Sequence, residues 1–292
     1  MDTGREWEMN SIAAIIHSLS NSFTKSEKKI ADVLLNNLEE AIYYSVTDFA
    51  EKAGVGDTSI IRFCRKLGFR GYQDFKIALT QDLTRNQQQA VRTLDNEITL
   101  NDSIGDVIRK LMNNYHESLK ETLSLLKEDQ VVKAVDFIES SNRVIFFGVG
   151  VSGLTAMEAK YKFSRIGLNV DAYLDSHMQV MSAALLSKND TAIAISYSGS
   201  TKDTIEALST AKEAGAKTIC ITHYAKSPIT RYADLILLNG HREDPLQGGA
   251  LATKIAQLYV LDILYTEYFR RNFQKAGANK EKTSRSITDK LI

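Results

Sequence analysis

From Asn10 to about Thr80, apolar residues recur at helical spacing. Ile12, Ile15, Ile16 and Leu19 fall on one face. Thr24-Lys25-Ser26-Glu27 is a capping-box pattern, and Ile30, Val33, Leu34 and Leu38 follow it as a helical stripe. Ser45-Val46-Thr47-Asp48 opens a further helix in a related way, with Asp48 as acceptor and Val46, Phe49 and Ala50 facing inward. Gly54-Val55-Gly56 stops that helix, and Asp57 or Thr58 is placed to cap the next. A short helix, a glycine-containing turn and a second short helix form the helix-turn-helix layout. The segment from about Gln81 to Asn101 is polar and reads as a partly helical linker. A long helix then runs from about Ser103 to Lys127, and another from Gln130 to Glu139.

Beyond Glu139 the period changes. Short apolar runs at Val144–Phe147, Leu168–Tyr173, Thr191–Ile195, Thr218–Ile221 and Leu235–Leu238 alternate with helical segments near Leu154–Arg165, His177–Leu186, Lys202–Ala214 and Ser227–Tyr232. This repeated βα pattern predicts an α/β domain: a doubly wound, five-stranded, mostly parallel sheet with helices on both faces. An amphipathic helix follows from about Ala250 to Arg271, and Phe273 to Ile292 reads as a polar, basic, frayed end. The predicted organisation is an all-α helix-turn-helix domain over 1–80, a linker and long helix over 81–129, the α/β domain over 130–271 and a polar tail over 272–292.

On a helical wheel of about 100° per residue, Thr58, Ser59, Arg62, Arg65 and Lys66 share roughly a third of the circle. Ile60, Ile61, Phe63, Cys64 and Leu67 occupy the other side. A hydroxyl and basic face suits phosphates and base edges, although a solvated face on an ordinary helix has the same composition. Net charge over the 292 residues is zero, so bulk charge names no partner. Positive charge nevertheless gathers between Arg62 and Lys76, where Asp74 is the only acid, and fields near a phosphate backbone are short-ranged in salt. The two cysteines, Cys64 and Cys220, have no metal or redox spacing and read as free buried thiols of a reducing compartment. No apolar run reaches the ~18 residues of a membrane span, and the first residues lack a signal-peptide core. These features read as a soluble, cytoplasmic protein. The five histidines are scattered without ligand-type pairs, so no metal site is expected, and no cofactor is called for.

The chemistry concentrates in two loops. Ile195-Ser196-Tyr197-Ser198-Gly199-Ser200-Thr201 lies between a predicted buried strand and a helix N-terminus. Hydroxyls, unpaired helix N–H groups and the positive end of the helix dipole suit such a turn to a phosphate. The first strand of the domain ends at Gly148-Val149-Gly150-Val151-Ser152-Gly153, a match to G-x-G-x-x-G, and Asp171 and Asp175 lie about twenty residues on, where a dinucleotide fold places its ribose-binding acid. The second hydroxyl loop has no role in a simple dinucleotide site. With strand order 2-1-3-4-5, strands one and three meet at the switch point, and Ser152 faces Ser196, Ser198 and Thr201 across one crevice. Four hydroxyls and helix N–H groups can surround a phosphate monoester dianion without a lysine.

Gly148-x-Gly150-x-Ser152 followed by Ser196-x-Ser198-Gly199-Ser200-Thr201 resembles the SIS (sugar isomerase) phosphosugar-binding domain, and Ser227-Pro228 and Ala233-Asp234 fit its later segments. The run Thr58 to Tyr72 resembles the helix-turn-helix domain of the RpiR family of bacterial regulators. The resemblance implies a DNA-binding repressor or activator of sugar or amino-sugar catabolism whose SIS domain binds a sugar phosphate. It carries Ser152, Ser196, Ser198 and Thr201 over as phosphate-binding positions, while His223 stands where relatives often show Asn. The implied partners are double-stranded operator DNA, a sugar-phosphate effector and further copies of the chain in a homodimer or homotetramer, with no membrane. The long helix from Ser103 and the helix from Ala250 have apolar faces suited to dimer or domain contacts. The rival is a SIS-type phosphosugar isomerase or related enzyme with a helical N-terminal extension. Such chemistry needs a general base, for which Glu158, His177, His241 and Glu243 are nearby in sequence. An isomerase has no need of a basic recognition-type helix, which favours a regulator without catalytic residues.

Overall fold

The computed structural model of the chain describes residues 12–86, 93–95, 98–240 and 251–288. The chain divides into two compact units, with the division falling after Lys110.

The first unit is helical. Its helices are α1 (Ile12–Leu19), α2 (Lys25–Asn36), α3 (Leu38–Ala41), α4 (Val46–Ala53), α5 (Asp57–Lys66) and α6 (Tyr72–Asn86). Both predicted capping boxes form: Thr24 with Glu27 at the start of α2, and Ser45 with Asp48 at the start of α4. Each pairs two helix-terminal N–H groups that have no partner within the helix. α4 ends at Gly54, whose φ of 62° lies in the left-handed region that glycine enters without steric cost. α5 follows after Gly56, which takes the N-cap position without a side-chain bond. The expected cap by Asp57 or Thr58 is therefore not made; Asp57 instead accepts from Thr47 Oγ1 at 3.2 Å and ties α5 back to α4. The apolar faces meet in one core built on Ile30, Leu34, Phe49, Phe63, Leu67, Phe75 and Leu79. Beyond α6, β1 (Thr93–Asp95) and β2 (Ile98–Thr99) pair antiparallel within the stretch expected to be a linker.

α7 (Ile104–Leu125) begins in the first unit and ends in the second. Ile104, Ile108, Met112 and Leu123 are exposed along it. Ser118 and Thr122, one turn apart, are buried: Ser118 Oγ donates to Ala252 O at 3.2 Å, and Thr122 Oγ1 accepts from Gly240 N at 2.9 Å.

The second unit contains α8 (Glu128–Glu139), β3 (Val144–Phe147), α9 (Val151–Arg165), β4 (Val170–Ala172), α10 (Ser176–Ala184), β5 (Thr191–Ile195), α11 (Lys202–Glu213), β6 (Lys217–Thr222), β7 (Leu235–Leu238), α12 (Leu251–Arg271) and α13 (Phe273–Arg285). The strands form one sheet in the order β4-β3-β5-β6-β7, every pairing parallel. This is the 2-1-3-4-5 order that the pairing of the two loops requires. β3 and β5 are buried along their whole length, as strands covered on both faces must be. Phe146, Ile193, Ile195, Ile219 and Ile221 pack with α8, α9 and α12, and Ile145, Phe147, Ala192, Ala194 and Cys220 face the layer of α10 and α11. α12 thus spends its apolar face within its own unit.

One expectation changes here, and the cysteines stand as the sequence reads them. Phe273 to Arg285 forms a helix where the composition suggests a frayed end. Asn279 Nδ2 donates to Ile166 O at 3.2 Å and Thr283 Oγ1 to Arg165 O at 3.0 Å, so α13 satisfies carbonyls left open at the end of α9. Cys64 and Cys220 are free and buried, and burial pushes each thiol up to about 12, which keeps both unreactive at neutral pH.

The core of the first unit turns on Phe63, fully buried with its ring 5.3 Å from that of Phe23. Phe63→Ala is expected to destabilise this unit by about 3–5 kcal/mol. Urea unfolding followed by circular dichroism checks this, and a loss under about 1 kcal/mol contradicts the packing described.

Candidate functional site

Two positions of the fold carry the predicted chemistry. In the first unit, Ile60, Phe63 and Cys64 fix α5 in the core, which turns its opposite face to solvent. Thr58 and Arg62 are exposed there and Ser59 is half-buried. Arg65 is also exposed, and its Nε donates to Arg70 O at 3.4 Å. Lys66 differs. Its ammonium donates to Ser22 O at 2.7 Å and to Glu27 at 2.8 Å, and it lies 5.3 Å from the Phe23 ring centroid. Burial raises the Glu27 carboxyl, but hydrogen bonds from Lys66 and Thr24 outweigh it and hold the group below its ordinary range. Lys66 is thus bound into the link between α5 and the start of α2. Lys76, counted at sequence level within the basic cluster, is buried and donates to Tyr44 O at 3.0 Å. Arg62, with Thr58 and Ser59 beside it, is left as the centre of the outward face.

In the second unit, the pairing of β3 with β5 brings two loops out side by side at the carboxyl edge of the sheet. Ser152 lies in the first turn of α9, directly after β3. Ser196, Ser198 and Thr201 lie between β5 and α11. Ser196 is 3% exposed, and its hydroxyl donates to Thr201 Oγ1 at 3.4 Å. Ser200 N donates to Ser198 Oγ at 3.2 Å, while Ser200 Oγ donates to Ser198 O at 3.2 Å. Gly199 has φ 59°, and a Cβ there would lie 2.1 Å from Ser227 Oγ. The tight turn that draws these hydroxyls together therefore requires glycine. Thr201 takes the N-cap position of α11 without a side-chain capping bond. Chemically, such a crevice supplies hydroxyl donors and two helix N-termini to an anion.

Three groups around this edge were not singled out for these roles by the sequence. Gln257 reaches from α12 and donates to Ser152 Oγ at 3.2 Å. Tyr197 stacks on His223 with ring centroids 5.3 Å apart and planes 19° apart. His223 Nδ1 lies 3.0 Å from Asn239 O, at the end of β7. Gln257 has a signal in the sequence: it is a polar residue at core spacing among Ala256, Val260, Leu261 and Leu264.

The dinucleotide reading loses its acids. Asp171 lies within β4 and pairs with Arg143 at 2.8 Å and Lys160 at 3.1 Å. Asp175 caps α10 by accepting from Met178 N at 2.8 Å. Glu158 pairs with Lys162 at 3.1 Å, and His177 is exposed on α10. His241 and Glu243 lie outside the described residues. Among the described residues, no cluster of three or more His, Cys, Asp or Glu could hold a metal ion, and no helix is long and apolar enough to cross a membrane.

Comparison with known proteins matches both units. The helix-turn-helix domain of the rpiR family matches residues 10–86, and the SIS domain matches residues 136–267. An HTH-type transcriptional regulator of Haemophilus influenzae is 39% identical, over 95% of this chain and 96% of its own. The HTH-type transcriptional regulator RpiR of Escherichia coli is 30% identical, over 93% of this chain and 90% of its own. Among solved structures, the Vibrio vulnificus NanR protein complexed with ManNAc-6P superposes with a TM-score of 0.84 at 25% identity, over 96% of this chain and 98% of that one. With a helix-turn-helix unit followed by a SIS unit, and relatives similar over nearly its whole length, the chain belongs to the RpiR family of HTH-type transcriptional regulators.

Proposed function

We propose that this regulator controls genes of sugar or amino-sugar catabolism, and that a sugar phosphate held at the β3–β5 edge sets its affinity for operator DNA. The pairing of β3 with β5 carries the reading, because it gives Ser152 and the Ser196–Thr201 loop one crevice. Ser152, Ser196, Ser198 and Thr201 donate to the phosphate, and the N-termini of α9 and α11 add favourable dipoles. A ligand of the same class in the similar NanR structure supports this. The sugar lies beyond the phosphate, where Tyr197 and His223 offer an aromatic wall.

On the DNA side, Thr58, Ser59, Arg62 and Arg65 of α5 read the major groove and its flanking phosphates. Lys66 is assigned to holding α5 on α2, since Glu27 and Ser22 already engage its ammonium. A homodimer or homotetramer sets two such helices on a palindromic site. Its support is the exposed apolar stripe of α7, with Leu154 and Tyr161 exposed on α9, Met181 on α10 and Leu185 just after it. The effector shifts DNA affinity by its differential affinity for two arrangements of the protein. The chain has no catalytic role in this scheme: Glu158 is engaged by Lys162, and the basic helix is of no use to an isomerase.

Arg62→Ala is expected to weaken operator binding by about 1–3 kcal/mol, the worth of a base-edge contact. Lys66→Ala is expected to lower the melting temperature while costing operator affinity less than Arg62→Ala does. Fluorescence anisotropy and thermal melts of the two variants check this, and equal DNA affinity of Arg62→Ala and the unsubstituted chain removes the reading-helix assignment. A thermal-shift screen of hexose and amino-sugar 6-phosphates is expected to find a stabilising ligand, because a ligand bound only by the folded state raises apparent stability. Ser198→Ala is expected to lose most of that shift. Turnover of a phosphosugar by the purified chain contradicts the regulator-only reading.

A further inference from the structure

Gln257 is 1% exposed on α12, in a row with the buried side chains of Val260, Leu261 and Leu264. An amide in such a place is costly unless both its ends are paired. Its Nε2 donates to Ser152 Oγ at 3.2 Å, and its Oε1 lies 3.2 Å from Thr155 Oγ1, whose single proton it shares with Val151 O at 3.1 Å. Thr155 is itself fully buried, one turn after Val151 on α9. The pairing fixes a proton. A serine hydroxyl has one proton and two acceptor lone pairs. With Gln257 donating into a lone pair, the Ser152 proton stays free for another acceptor, and among the described residues the hydroxyl donates to none.

We propose that Gln257 is a positioning residue for the effector: its amide holds the Ser152 hydroxyl so that the proton is presented to an anionic oxygen of the phosphate. This rests on the reading of Ser152 as part of the phosphate cradle. The orientation of the amide follows from charge. An N–H group beside a dianion is attracted to it, whereas the reversed amide sets a carbonyl dipole against the dianion and consumes the Ser152 proton. α12 thereby becomes a third element of the crevice, alongside the loops after β3 and β5.

The test is a double-mutant cycle on the full chain, with inorganic phosphate as the probe and 31P NMR titration as the readout. Ser152→Ala, Gln257→Met and the double variant are compared with the unsubstituted chain. Gln257→Met is expected to weaken phosphate binding about three- to tenfold, the loss of one oriented hydrogen bond. In the Ser152→Ala background the same substitution is expected to have no further effect, because coupled groups are non-additive. Thr155→Val, which frees the far end of the amide with little change of shape, is expected to lose about two- to threefold, again only when Ser152 is present. It decides by the same criterion where Gln257→Met does not fold. A Gln257→Met loss that persists in full without Ser152 shows a structural role and overturns the proposal. Unchanged or tighter binding in Gln257→Met means the amide is reversed and overturns it too. Unaltered affinity in Ser152→Ala, or no saturable phosphate binding by the unsubstituted chain, removes the cradle reading itself and this inference with it.

Discussion

The parallel pairing of β3 with β5 is the constraint on which the second unit's chemistry depends. Val144 to Phe147 lie in register against Thr191 to Ala194, so the chain leaves both strands at the same edge. Because β4 lies beyond β3 and β6 beyond β5, the helices after β3 and β5 pack on opposite faces of the sheet. Their first turns are left to border one crevice. Any other neighbour for β3 separates the loop of Ser152 from that of Ser196, and the proposed phosphate site then loses one of its halves. The strands are held there by burial on both faces, from Phe146 and Ile193 on one side to Phe147 and Ala194 on the other.

Much of the rest supports that edge from behind. Gly199 permits the turn that draws Ser196 and Thr201 together, and Ile229 N closes it by donating to Gly199 O at 3.0 Å. Gln257 engages Ser152 from α12, and His223 links Tyr197 to the end of β7. The neighbouring Gly240 donates to Thr122, and Ala252, at the start of α12, accepts from Ser118. The elements around the crevice are therefore also those on which the last turns of α7 are seated. α7 continues back into the unit that carries α5, which is the covalent connection a regulated DNA-binding protein requires.

The sequence was legible where the deciding interactions are local or periodic. The two capping boxes, the division of α5 into an Ile60-Phe63-Cys64 side and an Arg62 side, and the parallel βα build of the sheet each follow from spacing within one element or from the βα rule. What stayed hidden depended on distant partners. Lys66 and Lys76 read as surface charge because Glu27, Ser22 and Tyr44, which hold them, lie far back in the chain. Phe273 to Arg285 read as a loose tail because its few anchors, Ala276, Asn279 and Thr283, are small or polar and act on the end of α9. Gln257 lies more than a hundred residues from Ser152, and its only local mark is polarity at a core position. The G-x-G-x-x-G match points the other way: the motif is real, but Asp171 and Asp175 are spent on ion pairs and a helix cap.

The central claim is that a phosphate at this crevice is reported to DNA. The most direct measurement is operator-binding anisotropy of the full chain, titrated with a sugar phosphate and, in parallel, with the same sugar lacking its phosphate. The account predicts that DNA affinity changes with the phosphorylated sugar alone, and that this response is lost in Ser198→Ala. An equal response to both sugars, or a response to the phosphorylated sugar that survives in Ser198→Ala, contradicts it.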